Sequence, residues 1–183
     1  MIDEKELMLK VRDGQIGCLS KLFENNKTGL YNFFLRMGIN RALSEDLVQE
    51  TFMRVLAYRS TYKAQSLFKG WLYRIARNAV SDHFRKMANH DIHDVYDEEA
   101  AQNEETLMEG LEQESKQTLF DKALSALPAE QREIIVLSRF QQLNYSEIAE
   151  MLECNVNTLK TRMQVAINKL KEQYQLLSGE VAL

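Results

Sequence analysis

The chain has 183 residues, enough for one mid-sized domain or two small ones, and 45% of them are apolar, which excludes general disorder. Its 23 basic and 27 acidic residues give a net charge of −4 and a pI near 5.5, an average that argues against bulk attraction to nucleic acid. The charged start Met1-Ile2-Asp3-Glu4-Lys5 and the short aliphatic run Ile134–Leu137 predict a cytoplasmic protein without a signal peptide or membrane insertion.

The average hides a partition. Residues 1–87 carry 15 basic and 9 acidic side chains, a net of +6. Residues 88–118 carry 1 and 10, a net of −9, and residues 119–183 carry 7 and 8, a net of −1. The middle stretch, typified by His90-Asp91-Ile92-His93-Asp94-Val95-Tyr96-Asp97-Glu98-Glu99, reads as a solvated tether between two small domains.

Seven glycines and one proline leave few strand or turn signals, and the apolar spacing is helical. From Ser44 to Ala57, Leu47, Val48, Phe52, Val55 and Leu56 form one stripe, with Ser44 as the expected cap. Thr61 to Ser66 is expected to form a loop. From Leu67 to Lys86, the residues Leu67, Phe68, Trp71, Leu72, Ile75, Ala79 and Phe84 are expected to face inward. Arg74, Arg77, Asn78, Arg85 and Lys86 lie largely off that stripe. Pro128 suits the first turn of a further helix, followed by runs over 146–152 and from Asn155 to about Leu177. The fold class expected is all-α, two small helical bundles joined by an acidic linker.

The last two runs, joined tightly at Glu153-Cys154-Asn155, have the layout of a helix-turn-helix. Small Ala149 permits a close crossing. Asn157, Lys160, Thr161, Gln164 and Asn168 point away from the apolar side, a set of donors and acceptors suited to base edges and phosphates. Spacing alone leaves an ordinary helical hairpin equally open. The N-terminal domain interleaves Tyr58, Tyr62, Phe68, Trp71, Tyr73 and Phe84 with Arg59, Lys63, Lys69, Arg74, Arg77, Arg85 and Lys86. Aromatic faces can stack unpaired bases while cations hold phosphates. Helical spacing assigns Phe68 and Trp71 to a core, leaving Tyr62 as the ring expected to touch a base.

Five motifs, in order, carry a family resemblance. Ser44-Glu45-Asp46-Leu47-Val48-Gln49-Glu50-Thr51-Phe52 and Phe68-Lys69-Gly70-Trp71-Leu72-Tyr73-Arg74-Ile75-Ala76-Arg77-Asn78 resemble the σ2 domain of bacterial sigma factors. Leu127–Arg132, Tyr145–Ala149 and Asn157–Arg162 resemble σ4. The chain thus resembles the extracytoplasmic-function (ECF) group of the sigma-70 family over nearly its whole length. The resemblance implies a σ2-like domain at 1–87, an acidic linker at 88–114, a σ4-like domain at 115–177 and a tail at 178–183. It implies a promoter-specificity factor, not an enzyme, with no cofactor. Its partners would be core RNA polymerase (the β′ clamp and the β subunit), promoter DNA and an anti-sigma factor.

Residue by residue, the resemblance gives Asp46, Gln49 and Glu50 to the β′ clamp. Carboxylates and an amide on a rigid helix suit an Arg-rich partner. Tyr62, Lys63, Arg74, Arg77, Asn78, Arg85 and Lys86 fall to the −10 element. Asn157, Thr158, Lys160, Thr161, Arg162 and Gln164 fall to the −35 element, although the helical wheel puts Arg162 beside the apolar stripe. Asn157 and Gln142 stand where relatives often have glycine, and Val165-Ala166-Ile167-Asn168 replaces an Arg-rich helix end. Other readings are a duplex-binding regulator, which leaves Asp46, Gln49 and Glu50 without a role, and a metal-dependent hydrolase on His83, His90, His93, Asp91 and Asp94, which lacks a rigid scaffold. Cys18 and Cys154 are too far apart in sequence for a CxxC motif.

Overall fold

A computed structural model describes residues 3–90 and 116–179. Helices and their connections make up these residues, with no strand among them, and they fall into two compact units. The expected tether lies mostly outside them, as do Asp91, His93 and Asp94.

The first unit holds α1 (Glu4–Arg12), α2 (Cys18–Arg36), α3 (Arg41–Ala57), a 3-10 turn (Arg59–Thr61) and α4 (Phe68–His90). Asp3 caps α1 by accepting the Lys5 N–H, with Glu4 and Glu6 at the positive end of the helix. The α1 helix packs on α4 and on the 3-10 turn, and α3 packs along α4. Phe23 of α2 meets Phe52 of α3 edge-on at 5.1 Å, and Phe33 of α2 meets Tyr73 of α4 at 5.2 Å. These T-shaped contacts place each ring's positive edge on its neighbour's negative face. Leu22, Leu30, Phe34, Leu47, Val55 and Leu72 complete the core.

Two buried polar side chains keep partners inside that core. Asn26 donates to Glu4 Oε1 at 2.8 Å and to the Leu22 carbonyl at 2.9 Å. Thr51 Oγ1 donates to the Leu47 carbonyl at 2.6 Å. A buried donor left unmade would cost about 1–3 kcal/mol, so both bonds matter.

The second unit holds α5 (Lys116–Ser125), α6 (Ala129–Ile135), which runs into a π-helical turn (Val136–Phe140), then α7 (Tyr145–Met151) and α8 (Val156–Ser178). The α5, α6 and α7 helices all pack on α8, whose Leu159, Met163 and Ala166 are buried. Pro128 precedes α6 as its N-cap residue. Asn144 and Glu147 form a reciprocal capping box at the start of α7. The connection before α7 puts Gln142 at φ 58°, and the turn after it puts Glu153 at φ 51°.

Several expectations are corrected. Ser44 does not cap α3: the helix begins at Arg41 and Ser44 is fully buried within it. Leu67 and Phe84, expected inward, are exposed. Leu67 precedes the first residue of α4, and Phe84 lies on the side of the helix opposite Phe68, Ile75 and Ala79.

Candidate nucleic-acid and polymerase-binding surfaces

The α3 helix separates two chemistries by its period. Leu47, Val48, Thr51, Phe52 and Val55 are buried, whereas Asp46, Gln49 and Glu50 are exposed on the other side. Met53 continues that outer stripe at three- and four-residue spacing and is 65% exposed. A large apolar side chain among carboxylates and an amide makes this face amphipathic, as partner-binding surfaces often are. A methionine in a helix is by default expected to fill the core, and Met53 departs from that expectation.

Glu50 is held from its own helix. Its Oε1 accepts from Arg54 Nε at 2.7 Å, and Arg54 Nη1 donates to Asp82 Oδ2 of α4 at 2.6 Å. Asp82 Oδ1 in turn accepts from Arg85 Nη2 at 2.6 Å. Burial by itself would lower the Arg54 pKa, but its bonds to Glu50 and Asp82 outweigh that and raise it. The Arg54 bond holds the Asp82 carboxyl below its usual range.

On α4 the buried side carries Phe68, Trp71, Leu72, Ile75, Ala76 and Ala79. Arg74, Asn78 and Arg85 are exposed on the opposite side, Arg77 is half-buried beside them, and Lys63 and Lys86 are exposed. A strip of cations and one amide on a rigid helix can follow a phosphate backbone.

Tyr62 departs from the expectation. It is only 2% exposed, sits between Trp71 (5.2 Å, edge-on) and Phe68 (6.3 Å), and its hydroxyl donates to the Ser66 carbonyl at 2.7 Å. Burial, assisted by Asp3, pushes its phenol pKa up to about 12. The ring is a core piece that shapes the loop, not a free stacking face. The ring left in solvent on the cationic side of α4 is Phe84, 50% exposed.

The start of α8 is fixed by Asn155, whose Oδ1 accepts the Thr158 N–H at 2.7 Å. Asn157 therefore lies inside the first turn and is not the capping residue. Asn155, Val156, Asn157, Thr158 and Thr161 line an open, largely polar concavity there. Asn157, Lys160, Thr161, Arg162 and Gln164 are exposed and Thr158 is half-buried. Thr161 Oγ1 donates to the Asn157 carbonyl at 3.2 Å and Gln164 to Asn168 Oδ1 at 3.1 Å, which fixes two of these side chains. Arg162, expected beside the apolar stripe, points to solvent.

Among the described residues no group of three or more His, Cys, Asp or Glu is placed to hold a metal. No described helix is long and apolar enough to cross a membrane. Cys18 and Cys154 are half-buried free thiols.

Comparison with known proteins places both units. Residues 22–90 match the family described as Sigma-70 region 2, and residues 117–170 match Sigma-70, region 4. The chain is 30% identical over 175 residues to RNA polymerase sigma factor CarQ of Myxococcus xanthus, covering 96% of this chain and 99% of that one. It is 29% identical to the ECF RNA polymerase sigma factor SigM of Bacillus subtilis, covering 85% and 94%. Among solved structures, the sigma factor RpoE of Bartonella quintana, crystallised with the anti-sigma factor NepR, superposes with a TM-score of 0.67 at 27% identity, covering 85% of this chain and 96% of that one. CnrH, in complex with the cytosolic domain of CnrY, shares the fold with a TM-score of 0.70 at 21% identity, covering 97% and 99%. Two region matches in the right order, together with relatives aligned end to end, show that the chain belongs to the ECF sigma factors of the sigma-70 family, which direct promoter-specific transcription initiation by RNA polymerase.

Proposed function

We propose that this sigma factor divides its work among three helix faces. The outer face of α3, with Asp46, Gln49 and Glu50, binds the β′ clamp of core polymerase. Lys63 and the Arg74, Arg77, Asn78, Arg85 and Lys86 face of α4 hold the −10 element as it opens. The Asn157, Thr158, Lys160, Thr161, Arg162 and Gln164 region of α8 reads the −35 element in the major groove. The observation that carries this reading is the segregation within one unit of an acidic, amide-bearing face on α3 from a cationic face on α4.

Tyr62 acts in this reading as a support: it packs the loop that carries Lys63 against Trp71, and it does not stack a base. Opening the duplex costs about 1–2 kcal/mol per base-pair step, and captured bases and phosphates offset part of that. No covalent bond changes, so the protein acts by binding and not as an enzyme. Residues 1–87 serve as the σ2 domain, 88–114 as the acidic tether and 115–177 as the σ4 domain. The β subunit receives the σ4 domain, and the whole chain works in the cytoplasm. The relative crystallised with NepR supports an anti-sigma partner for this chain as well.

The test is a pair of titrations. Fluorescently labelled sigma is titrated with core enzyme, and the holoenzyme with forked promoter DNA. Asp46→Ala and Gln49→Ala should weaken the first, and Arg74→Ala with Asn78→Ala only the second. A loss of core affinity from the α4 variants, with none from the α3 variants, would reverse the assignment.

A further inference from the structure

The polymerase-facing carboxylate of α3 is not a free side chain. Glu50, Arg54, Asp82 and Arg85 form one chain of ion pairs at 2.7, 2.6 and 2.6 Å, with alternating charge. Its ends are open and its middle is not: the Arg85 side chain is 72% exposed and that of Arg54 only 16%. Exposed pairs are screened by water and salt and hold little, whereas a partly buried guanidinium bridging two carboxylates is fixed by both. The guanidinium fork matches this task because its Nε and Nη1 atoms point to different acceptors at once. Arg54 also lies on the seam where α3 packs along α4, so its rotamer is limited by both helices.

We propose that Arg54 and Asp82 are positioning residues of the polymerase-binding surface: Asp82, reaching from α4, holds the Arg54 guanidinium, and Arg54 holds the Glu50 carboxylate in the orientation that core polymerase meets. The inference rests on the assignment of Glu50 to core binding. It extends that surface to α4, where Asp82 lies beside Asn78 and is ion-paired to Arg85, two residues assigned to the −10 element. Without Arg54, the Glu50 and Asp82 carboxylates lose the cation between them, and Glu50 samples its rotamers at the cost of interface order.

A double-mutant cycle on core-polymerase affinity tests this, using full-length sigma and purified core enzyme. Arg54→Met and Asp82→Asn should each weaken binding about two- to five-fold, the range of one partly exposed ion pair. Neither should add to the loss already caused by Glu50→Gln, because all three break one chain. Arg54→Lys should recover only part of the affinity. Asp82→Asn changes no shape, so it keeps the test open if Arg54→Met melts early. If Arg54→Met cost as much affinity in the Glu50→Gln variant as in the parent, the proposal would be overturned, since Arg54 would then touch polymerase itself or support only the fold. If Asp46→Ala and Glu50→Gln both left core affinity unchanged, the surface assignment would fail and the proposal with it; these two controls tell the failures apart.

Discussion

Replacing Tyr62 by phenylalanine removes one hydroxyl, and replacing it by alanine removes the ring; the two changes separate a structural from a DNA-contacting role. The hydroxyl donates to the Ser66 carbonyl at 2.7 Å in a site only 2% exposed, so Tyr62→Phe should cost about 1 kcal/mol. For a domain of this size that is about 4–8 °C in melting temperature. The ring contacts Trp71 and Phe68 edge-on, and deleting a buried aromatic side chain costs about 3–5 kcal/mol. Against a total stability of about 5–15 kcal/mol, Tyr62→Ala should leave the first unit marginal at about 37 °C. The assay is thermal unfolding by circular dichroism, paired with binding of forked −10 DNA by holoenzyme at about 15 °C, near the temperature of maximum stability, where the variants remain folded. Tyr62→Phe should bind DNA as the parent does despite its lower melting point. A Tyr62→Ala protein with an unchanged melting point and a specific loss of single-strand binding would refute the reasoning, because the ring would then be stacking on a base.

Other consequences follow from particular residues. Gln142 is held at φ 58° with its side chain exposed, so Gln142→Gly should stabilise the second unit by about 0.5–1 kcal/mol, read as a raised melting temperature. Asn155→Ala removes the bond to the Thr158 N–H and should cost about 1 kcal/mol while weakening −35 binding, measured by gel shift with holoenzyme. Met53, 65% exposed beside Gln49 and Glu50, should lose core affinity as Met53→Lys without a change in melting temperature, read by titration with core enzyme. The phenol of Tyr62 has its folded pKa raised to about 12, from an ordinary 10. Its contribution is therefore complete below about pH 10 and lost between about pH 10 and 12, where the unfolded chain ionises first. Urea melts across that window should fall less steeply for Tyr62→Phe than for the parent.

The helical period made the α3 surface legible: one stripe of Leu47, Val48, Phe52 and Val55 left Asp46, Gln49 and Glu50 no place but outside. The same reasoning turned the Asn157 side of α8 outward, and Leu159, Met163 and Ala166 are buried on the other side. Phe84 was misplaced because its chemistry was allowed to outweigh its angle: counted on from Ala79, it lies about 140° around the helix. Tyr62 was misplaced for a different reason. A loop residue has no period, and its burial depends on Trp71 and Phe68, which come later in the chain. The caps show why composition alone does not fix a helix start. Asn155 and Asn157 both fit the start of α8, and only the bond from Asn155 to the Thr158 N–H distinguishes them. The Asn144-x-x-Glu147 box was visible as spacing and could have set the start of α7. The α1 and α2 helices were also legible, since Leu7, Met8 and Val11 on α1 and Leu22, Leu30, Phe33 and Phe34 on α2 fall at helical spacing and are buried; only the Asn26–Glu4 bond has no apolar pattern to announce it.

The most direct test of the three-face division is transcription reconstituted from purified core polymerase, this sigma factor and a library of randomised promoters. The account predicts initiation from a single enriched class with paired −35 and −10 elements. Asp46→Ala with Gln49→Ala should abolish it at every promoter. Lys160→Ala with Thr161→Ala should relax the enriched sequence at −35 alone, and Arg74→Ala with Asn78→Ala should impair opening around −10. Promoter-specific initiation that survives loss of Asp46 and Gln49, or a −35 preference unmoved by the α8 variants, would contradict it.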